Sequence, residues 1–519
     1  MAFTLALAEV SVVLRSINLN AMLLVAAIVV VAIILYLVKE SRDAGLDHVP
    51  GPWLARYTNL HAWIEAQRWH GRNICYLSRL HDKYGDVVRV APRRVSVCDP
   101  DAIPAIYGMR ASLDKSNLIR AAQPLGKGGP DNLFSVRDAK SHAPMRRAVA
   151  NAYSTSTIAQ YEPRIDDTLA AFFRVLEGES SETNIGKWAH YYVYDVQGNM
   201  TYAEPLGYLE TRSDAVGLIW QTKLLLKYVQ FTMPMPILHD IASFFIRTFK
   251  VQKATVFHQL SARKVQDRMA ELSSSATVKG SSTNNNDSDI LTHFISARDK
   301  YPQLMTQEQI IMHCMVNVVA GTGTSTTTII NVLKYLVANP EAQQRLYGEL
   351  KDAGVGFPPT WRETQSLPFL EGLVREGVRL RGVDGFNPLA RVVKEEGMVL
   401  PDGTRLPSGT VVGIKPSVAS VQEKTFGEQP RSFLPDRWCQ KDGENDEEYK
   451  ERRGRMDRGD MSFGSGTRGC IGRSIALMEI YKMIAALVSQ YKLLPAPGKQ
   501  PLKSHFDFFC CLESRGKVA

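Results

Sequence analysis

The loop at residues 463–472, which reads FGSGTRGCIG, holds the residues whose types and spacing best suit chemistry. Its glycines allow backbone conformations closed to other residues and let the chain approach a flat ligand closely. Cys470 lies just before a predicted helix, residues 471–491, whose N-terminal dipole would stabilise a thiolate. The pattern favours a cysteine thiolate presented as a metal ligand. The alternative is a glycine-rich loop around a buried structural cysteine.

Helices are predicted at residues 155–176, 214–228, 257–272, 306–338 and 340–352. The longest of them, residues 306–338, has an unusual centre. Thr306 suits the N-cap, and Gln309 completes a predicted capping box. The centre, residues 320–328, reads AGTGTSTTT. Each glycine there costs about 1 kcal/mol relative to alanine, and threonine hydroxyls compete for helix carbonyls. This composition predicts a local opening of the helix, and the alternative is close packing of another helix against the glycines.

Several charged motifs accompany the loop and the helix. Glu376 and Arg379 share a face of a predicted helix, and a later loop, FLPDRW, contains Arg437. Residues 142–146 read HAPMR, and Arg391 follows the sequence NPLA. Taken alone, such charges are typical of an ordinary solvated surface and contribute little to stability.

The order of these motifs resembles the cytochrome P450 family from about residue 45 to the end of the chain. Residues 132–135 and 148–154 are most similar to its fungal pisatin-demethylase-like branch. The resemblance implies a haem-thiolate enzyme of mainly α fold with a small β region, preceded by one transmembrane helix.

The resemblance also implies roles for the motif residues. The cofactor would be haem b, iron protoporphyrin, with the Cys470 thiolate as axial ligand of the iron. The other implied roles are contact with the haem or its propionates by His142, Arg146, Arg391, Phe463, Arg468 and Gly472, proton delivery by Thr324 and Ser325, and a structural network of Glu376, Arg379 and Arg437. Members of the family carry an acidic residue where this chain has Gly323. We therefore expect either that protons are delivered through Thr324, Ser325 and ordered water or that the enzyme depends less on a proton relay at this place.

Composition narrows the class of protein. The chain has 519 residues, of which 45% are hydrophobic and 22% charged, as in ordinary globular proteins. The net charge of +9 is spread along the chain, which predicts an acidic protein partner or an anionic membrane and no nucleic acid. The seven scattered cysteines have no zinc-ligand spacing, which indicates a reducing compartment without a disulfide framework.

The N-terminal region predicts a membrane anchor. Residues 21–38 carry no charge and approach the ~20 residues needed to cross a bilayer. Lys39 and Arg42 follow, which places the rest of the chain on the cytosolic side. The alternatives are a cleaved signal peptide and a buried core helix. The predicted domains are a lumenal N-terminus at 1–20, a signal-anchor helix at 21–38, a basic, proline-containing hinge at 39–52 and a haem-thiolate catalytic domain at 53–519.

The implied activity is a monooxygenase of the endoplasmic reticulum membrane that uses O₂ and electrons from NADPH. The implied partners are NADPH–cytochrome P450 reductase, cytochrome b5 and a lipophilic fungal secondary metabolite, such as an alkaloid, terpenoid or polyketide hybrid. Two alternatives remain: oxidative coupling, desaturation or rearrangement without oxygen insertion, which Gly323 favours, and a catalytically silent haem-binding protein.

Two surfaces follow from the same resemblance. The substrate pocket is expected from residues 112–131, 231–238, 316–324, 383–389 and 506–510, with Asp384 and Asn387 orienting a polar group. Residues 231–238 would also form an entry lid or, alternatively, ordinary core packing. The expected contacts with the reductase are Lys450, Arg452, Arg453, Arg455 and Arg458, although such a charge run is usually a solvated face.

Overall fold

Helices account for most of the secondary structure. The computed structural model describes residues 19–68, 76–123, 130–250, 255–275, 289–380, 389–498 and 507–515. Short strands in these ranges form three small sheets. The predicted fold class, mainly α with a small β region, is therefore confirmed.

The α-helices vary widely in length. They are α1 (Leu19–Asp43), α2 (Leu60–Arg68), α3 (Tyr76–Tyr84), α4 (Ile103–Tyr107), α5 (Ala139–Val149), α6 (Thr155–Gln160), α7 (Glu162–Glu177), α8 (Ile185–Tyr202), α9 (Tyr208–Thr211), α10 (Leu218–Thr232), α11 (Ile237–Thr248), α12 (Val256–Ser275), α13 (Ile290–Lys300), α14 (Gln307–Ala338), α15 (Pro340–Asp352), α16 (Trp361–Gln365), α17 (Pro368–Arg379), α18 (Pro416–Ala419), α19 (Glu423–Phe426), α20 (Asp446–Gly459) and α21 (Arg473–Gln490).

The strands pair as small sheets at the edges of the helical body. They are β1 (Val87–Ala91), β2 (Arg94–Val97), β3 (Glu182–Asn184), β4 (Arg391–Val392), β5 (Met398–Val399), β6 (Arg405–Leu406), β7 (Val411–Ile414), β8 (Tyr491–Pro495) and β9 (Phe509–Ser514). The first sheet has the order β1-β2-β7-β4, with β2 and β7 parallel. The second has the order β3-β9-β8, and the third pairs β5 with β6.

The long helix α14 is the centre of the helical core. It packs against α8, α12, α17 and α21, and its side chains Ile310, Ile329 and Leu333 are fully buried. Its predicted bounds are confirmed, with Thr306 as N-cap. The predicted capping box is wrong, because the Gln309 side chain instead donates to the carbonyl of Asp131 at 2.8 Å.

The centre of α14 continues without the predicted opening. The hydroxyls of Thr324, Thr326, Thr327 and Thr328 each donate to the carbonyl four residues earlier, at 2.8–3.1 Å. These bonds leave the helical backbone unbroken. The alternative, close packing on a glycine, applies at Gly321, where a Cβ would lie 2.5 Å from the Gln197 side chain of α8.

Helix α8 is the largest element that the sequence did not predict. Almost every residue from Ile185 to Tyr202 is buried. Because apolar and polar residues are buried on all faces, the sequence lacks the one-sided period that indicates an amphipathic helix. The helix that packs against α14 at Gly321 could therefore not be predicted from periodicity.

Two predicted helices have different bounds in the structure. The single helix predicted at 155–176 is two helices, α6 and α7, because Pro163 lies in the first turn of α7 and cannot donate a backbone hydrogen bond. The helix predicted from Asp214 begins instead at Leu218. Its preceding residue, Gly217, has a φ of 77°, and the Asp214 carboxylate accepts from the backbone of Trp220 at 2.9 Å.

Helix α1 is long and apolar enough to cross a membrane. Its window Leu23–Asp43 has a mean hydropathy of 2.6, and none of the most apolar stretch is buried. The helix extends past the predicted end at residue 38. Its last turn joins the folded body, where Arg93 pairs with Glu40 at 2.5 Å and Arg89 donates to the carbonyl of Ser41 at 3.0 Å.

A buried ionic network joins α17 to the segment before the cysteine loop. Glu376 is fully buried and accepts from Arg379 at 2.5 and 2.7 Å and from Arg437 at 3.1 Å. Trp438, which the sequence analysis did not assign, donates to the same carboxylate at 2.9 Å. The backbone N–H of Leu434 also donates to it, at 3.0 Å. One carboxylate thus fixes the fold of the FLPDRW loop.

We predict that Glu376→Gln destabilises the protein severely. The change leaves the buried guanidinium groups of Arg379 and Arg437 without their counter-charge, which costs about 3–5 kcal/mol of unfolding free energy. Denaturant unfolding of the full chain in detergent measures this. The control is Asp436→Asn, which breaks an exposed ion pair with Arg345 and should cost about 1 kcal/mol or less. Equal losses in the two variants would contradict the prediction.

Candidate active site

The loop at residues 463–472 is held in a shape that only glycine permits at one position. Gly466 has a φ of 65°, and a Cβ there would lie 1.8 Å from the carbonyl oxygen of Tyr107. The backbone N–H of Cys470 donates to the carbonyl of Phe463 at 2.8 Å, which closes the loop. The Cys470 side chain is exposed rather than packed in the core. The alternative of a buried structural cysteine is therefore wrong.

Helix α21 begins immediately after this loop. It starts at Arg473 with Gly472 as its N-cap, so Cys470 precedes the cap by two residues. The helix was predicted at 471–491, and its bounds differ by one or two residues. The positive end of the α21 dipole therefore lies close to Cys470 along the chain. Gly472 borders open space, because a Cβ there would meet no atom within 4 Å.

Basic side chains from separate elements meet beside the loop. His142 and Arg146 lie on α5, and Arg391 begins β4. Together with Arg468 they line a cavity of about 420 Å³. Lys115, which is buried and pairs through its backbone with Arg391, lies next to them. We call these five residues, Lys115, His142, Arg146, Arg391 and Arg468, the basic cluster.

The hydrogen bonds of the basic cluster go to backbone carbonyls within the described residues. Arg146 donates to Gly469 at 2.8 Å, which ties α5 directly to the cysteine loop. Arg468 donates to Val136 at 2.6 Å and to two further carbonyls, and Arg391 donates to Leu389 at 2.8 Å. Uncharged backbone carbonyls therefore hold these guanidinium groups in place. Because no carboxylate neutralises them there, the guanidinium groups keep the cavity electrically positive.

The pKa values reflect this crowding of positive charge. Burial and then the charges of Arg468, Lys115, Arg146 and Arg391 lower the pKa of His142 to about 3. Burial, followed by Arg391 and Arg468, lowers the pKa of Lys115 to about 7. Burial and Arg391 likewise lower the pKa of Arg468 to about 10. His142 is therefore neutral at pH 7, and the cavity favours an anionic ligand.

The sequence analysis missed Lys115. Its ammonium donates to the carbonyl of Phe134 at 2.6 Å and lies 4.8 Å from the centre of the Phe134 ring. A lone lysine in a loop carries no periodic or spacing signal. Only the β-bridge between Lys115 and Arg391 brings it to the cluster, and that pairing joins distant parts of the chain.

The centre of α14 borders open space on one side. Ala320 is exposed although it lies in the middle of a core helix, and a Cβ on Gly323 would meet no atom within 4 Å. Thr324 follows on this open side and donates to the carbonyl of Ala320 at 2.9 Å. Ser325, in contrast, is 1% exposed and faces the protein interior. Thr324 and Ser325 were both predicted to deliver protons, but in the structure only Thr324 lies on the open side of α14.

These features fit a haem group. The basic cluster provides cationic partners for its two propionates, because charge-assisted hydrogen bonds to carboxylates are strong in dry sites. Gly323, Ala320 and Gly472 leave room for a flat ring, and Cys470 offers a thiolate to its iron. When bound, haem supplies the oxygen-activating chemistry that no amino-acid side chain provides.

Other parts of the expected pocket differ from the prediction or lie outside the described residues. Asp384, Asn387 and most of the segment 383–389 lie outside them, as do Phe506 and residues 124–129. Residues 231–238, predicted to be irregular, end α10 and begin α11. Phe231 is 45% exposed, and its ring packs edge-on against Trp63 with centres 5.2 Å apart.

Comparison with known proteins agrees with this site. The Cytochrome P450 family profile matches residues 50–518. The chain therefore belongs to the cytochrome P450 family, whose members carry haem with a cysteine thiolate ligand, and it is an oxidoreductase of the monooxygenase type.

Several curated relatives are fungal. The chain is 30% identical to a cytochrome P450 monooxygenase of Aspergillus flavus over 89% of this chain and 90% of that protein. It is 31% identical to the cytochrome P450 monooxygenase vrtE of Penicillium aethiopicum over 87% of this chain and 85% of that protein. It is 31% identical to the cytochrome P450 monooxygenase cicH of Emericella nidulans over 88% of this chain and 90% of that protein.

Proposed function

We propose that Cys470, as a thiolate, is the axial ligand of the haem iron in this monooxygenase. The observation that carries the proposal is the exposed Cys470 beside a cavity lined by the cations Arg146, Arg391 and Arg468. In this assignment Arg146, Arg391, Arg468 and His142 hold the propionates. His142 contributes an imidazole N–H as a hydrogen-bond donor.

Further residues have supporting roles in the same proposal. Phe463 and Gly472 bracket the cysteine and border the haem, and Thr324 presents its hydroxyl on the open side of α14. Glu376, Arg379 and Arg437 hold the segment that leads into the loop and take no part in the reaction. The catalytic domain in this proposal spans residues 53–519, with residues 39–52 as the hinge.

We further propose that the substrate is a lipophilic secondary metabolite. The open side of α14 carries Ala320 and Gly323, which offer no charge to a substrate. The fungal source of the relatives agrees with a metabolite of fungal biosynthesis. The second candidate is coupling, desaturation or rearrangement without oxygen insertion. It is favoured by Gly323, because this residue provides no acid next to Thr324 for oxygen protonation.

A membrane location in the endoplasmic reticulum is proposed on two features. The first is α1, whose exposed apolar surface suits a bilayer. The second is an apolar surface on α10 and α11 with the exposed side chains Trp220, Leu224, Phe231, Ile237, Ile241, Phe244, Phe245 and Phe249. Trp63 of α2 donates to the carbonyl of Phe231 at 2.9 Å, so this surface is continuous with α2. Such a patch suits insertion into the interfacial region of a membrane.

The proposed electron donor is NADPH–cytochrome P450 reductase, with cytochrome b5 as a second donor. Of the five basic residues predicted to contact it, Lys450, Arg455 and Arg458 are exposed on α20. Arg452 and Arg453 are partly buried and engage Glu444 and Glu371, so they belong to the fold of this region. The docking proposal is therefore restricted to the three exposed residues.

We expect Cys470→Ala in the producing organism to accumulate the substrate. Loss of the thiolate removes the sulfur ligand of the iron, so turnover is lost. Mass spectrometry of the metabolites measures the result: a precursor one oxygen lighter than the normal product supports oxygen insertion. A precursor that differs by two hydrogens, or an isomer, supports the second candidate. The control is Cys511→Ala, outside the site on β9, which should leave the metabolite profile unchanged. Unchanged product in Cys470→Ala would contradict the proposal.

Charge reversal tests the docking surface. We expect the combined change Lys450→Glu, Arg455→Glu and Arg458→Glu to weaken reductase binding about tenfold or more, or about 1.4 kcal/mol, and to reduce its salt dependence. Reductase titration of the haem-loaded protein in membranes measures this. The matched control reverses three exposed residues elsewhere, Arg174, Arg298 and Lys351. An equal effect of both sets would exclude a specific docking surface.

A further inference from the structure

A fully buried arginine lies under the hinge that joins α1 to the catalytic domain. The side chain of Arg89, on β1, is 0% exposed. It donates to the carbonyl of Ser41 at 3.0 Å, to the carbonyl of Pro92 at 2.9 Å and to the carboxylate of Asp47 at 3.2 Å. A longer bond, of 3.4 Å, goes to the carbonyl of Arg56. One guanidinium group therefore connects the end of α1, the hinge and the segment that follows the hinge.

The backbone of Arg89 holds the hinge as well. Its N–H donates to the carbonyl of Pro50 at 2.8 Å. Gly51 lies so close to β1 that a Cβ there would be 2.2 Å from the carbonyl oxygen of Arg89. Any larger residue at position 51 would therefore force the two segments apart. The proline turn at the end of the hinge is thus packed directly on β1.

Apolar side chains of the hinge are part of the protein core. Ala44, Leu46 and Val49 are at most 3% exposed. They belong to a buried cluster that also contains Val95 of β2 and Val412 of β7. Removal of apolar side chains from a packed core is unfavourable because it returns their surface to water. The folded state therefore opposes bending at the hinge.

Two neighbouring arginines join the end of α1 to the turn between α10 and α11. Arg93 pairs with Glu40 of α1 at 2.5 Å. Arg94, the next residue, donates to the carbonyl of Pro234 at 3.3 Å and to the side chain of Asn59 at 3.1 Å. Pro234 lies between the end of α10 and the start of α11. The apolar helix α1 and the apolar surface on α10 and α11 therefore meet at one corner of the molecule.

Helix α1 reaches this corner without a break. Its exposed apolar side chains extend from Leu23 to Tyr36, and the same helix continues to Asp43. Sharp bends in helices occur mainly at proline, at glycine or serine pairs and at bulges. The sequence of α1 contains neither proline nor glycine. The direction of its apolar part is therefore passed on to the turn that contacts the catalytic domain.

We propose that α1 and the apolar surface on α10 and α11 meet a lipid bilayer as one rigid unit, with Arg89 as the residue that fixes the angle of the hinge. The direction of α1 in the bilayer then sets the tilt of the whole catalytic domain. The proposal rests on the proposed membrane location and adds a fixed orientation to it. With a freely bending hinge, the domain would instead rock on the membrane independently of α1.

Electron paramagnetic resonance of the haem-loaded full chain in oriented phosphatidylcholine bilayers measures the tilt of the domain and the spread of that tilt. We expect a narrow spread in the wild-type protein. Val38→Gly combined with Lys39→Pro interrupts α1 just before the hinge and should widen the spread about twofold or more. The matched control, Val38→Ala combined with Lys39→Ala, loses the same side chains but keeps the helix, so its spread should equal that of the wild type.

Hydrogen exchange of the backbone at residues 40–49 gives a second measurement that needs no membrane orientation. We expect slow exchange in the wild-type chain in detergent, because the N–H groups of Ala44 and Val49 are hydrogen-bonded in a segment fixed to the core. Arg89→Met removes the guanidinium donors and should speed exchange in this segment about tenfold or more. Arg110→Met, at an exposed arginine, should leave the exchange unchanged.

The two measurements separate the fixed hinge from the membrane location. An equal spread of tilt in the glycine–proline variant and its alanine control, or fast exchange of residues 40–49 in the wild type, would overturn the fixed hinge. If Arg89→Met does not fold, the comparison of the two α1 variants decides the question. Failure of the wild-type chain to sediment with phosphatidylcholine vesicles would overturn the proposed membrane location instead, whatever the exchange rates show.

Discussion

The concentration of positive charge around one cavity is the constraint on which the site depends. Buried charges are costly unless they are paired or hydrogen-bonded. The described residues satisfy Arg146, Arg391 and Arg468 with backbone carbonyls, which fixes the paths of the segments that supply them. The cost of holding these cations together is offset when a ligand with carboxylates enters. Cofactor binding and the fold of the surrounding segments are therefore coupled.

A second buried charge network fixes the segment that precedes the cysteine loop in the chain. Arg379, Arg437 and Trp438 all donate to the carboxylate of Glu376. Arg146 then ties the loop to α5 through Gly469. The loop that carries Cys470 is thus held by Arg146 and is followed directly by α21. Such preorganisation suits a ligand that must keep one geometry during repeated turnover.

The local motifs could be predicted from the sequence, whereas contacts between distant segments could be predicted only where the family resemblance implied them. Glycine spacing and the N-cap located the cysteine loop and the long helix, because these signals are carried by neighbouring residues, and the resemblance implied the Glu376 network. Helix α8 escaped prediction because it is buried on every face. Lys115 was not predicted because its environment is created by the pairing of segments more than a hundred residues apart. The predicted opening of α14 was wrong because a carbonyl oxygen has two lone pairs and can accept from a threonine hydroxyl without losing its bond within the helix.

The central claim is that Cys470 provides the ligand to the haem iron. X-ray absorption at the iron K-edge of the purified full chain tests it most directly, because sulfur scatters differently from nitrogen and oxygen. The account predicts one sulfur ligand on the iron in the wild-type protein. It also predicts that this sulfur disappears in Cys470→Ser and remains in Cys511→Ser. Iron without a sulfur ligand in the wild type, or sulfur that persists in Cys470→Ser, would contradict it.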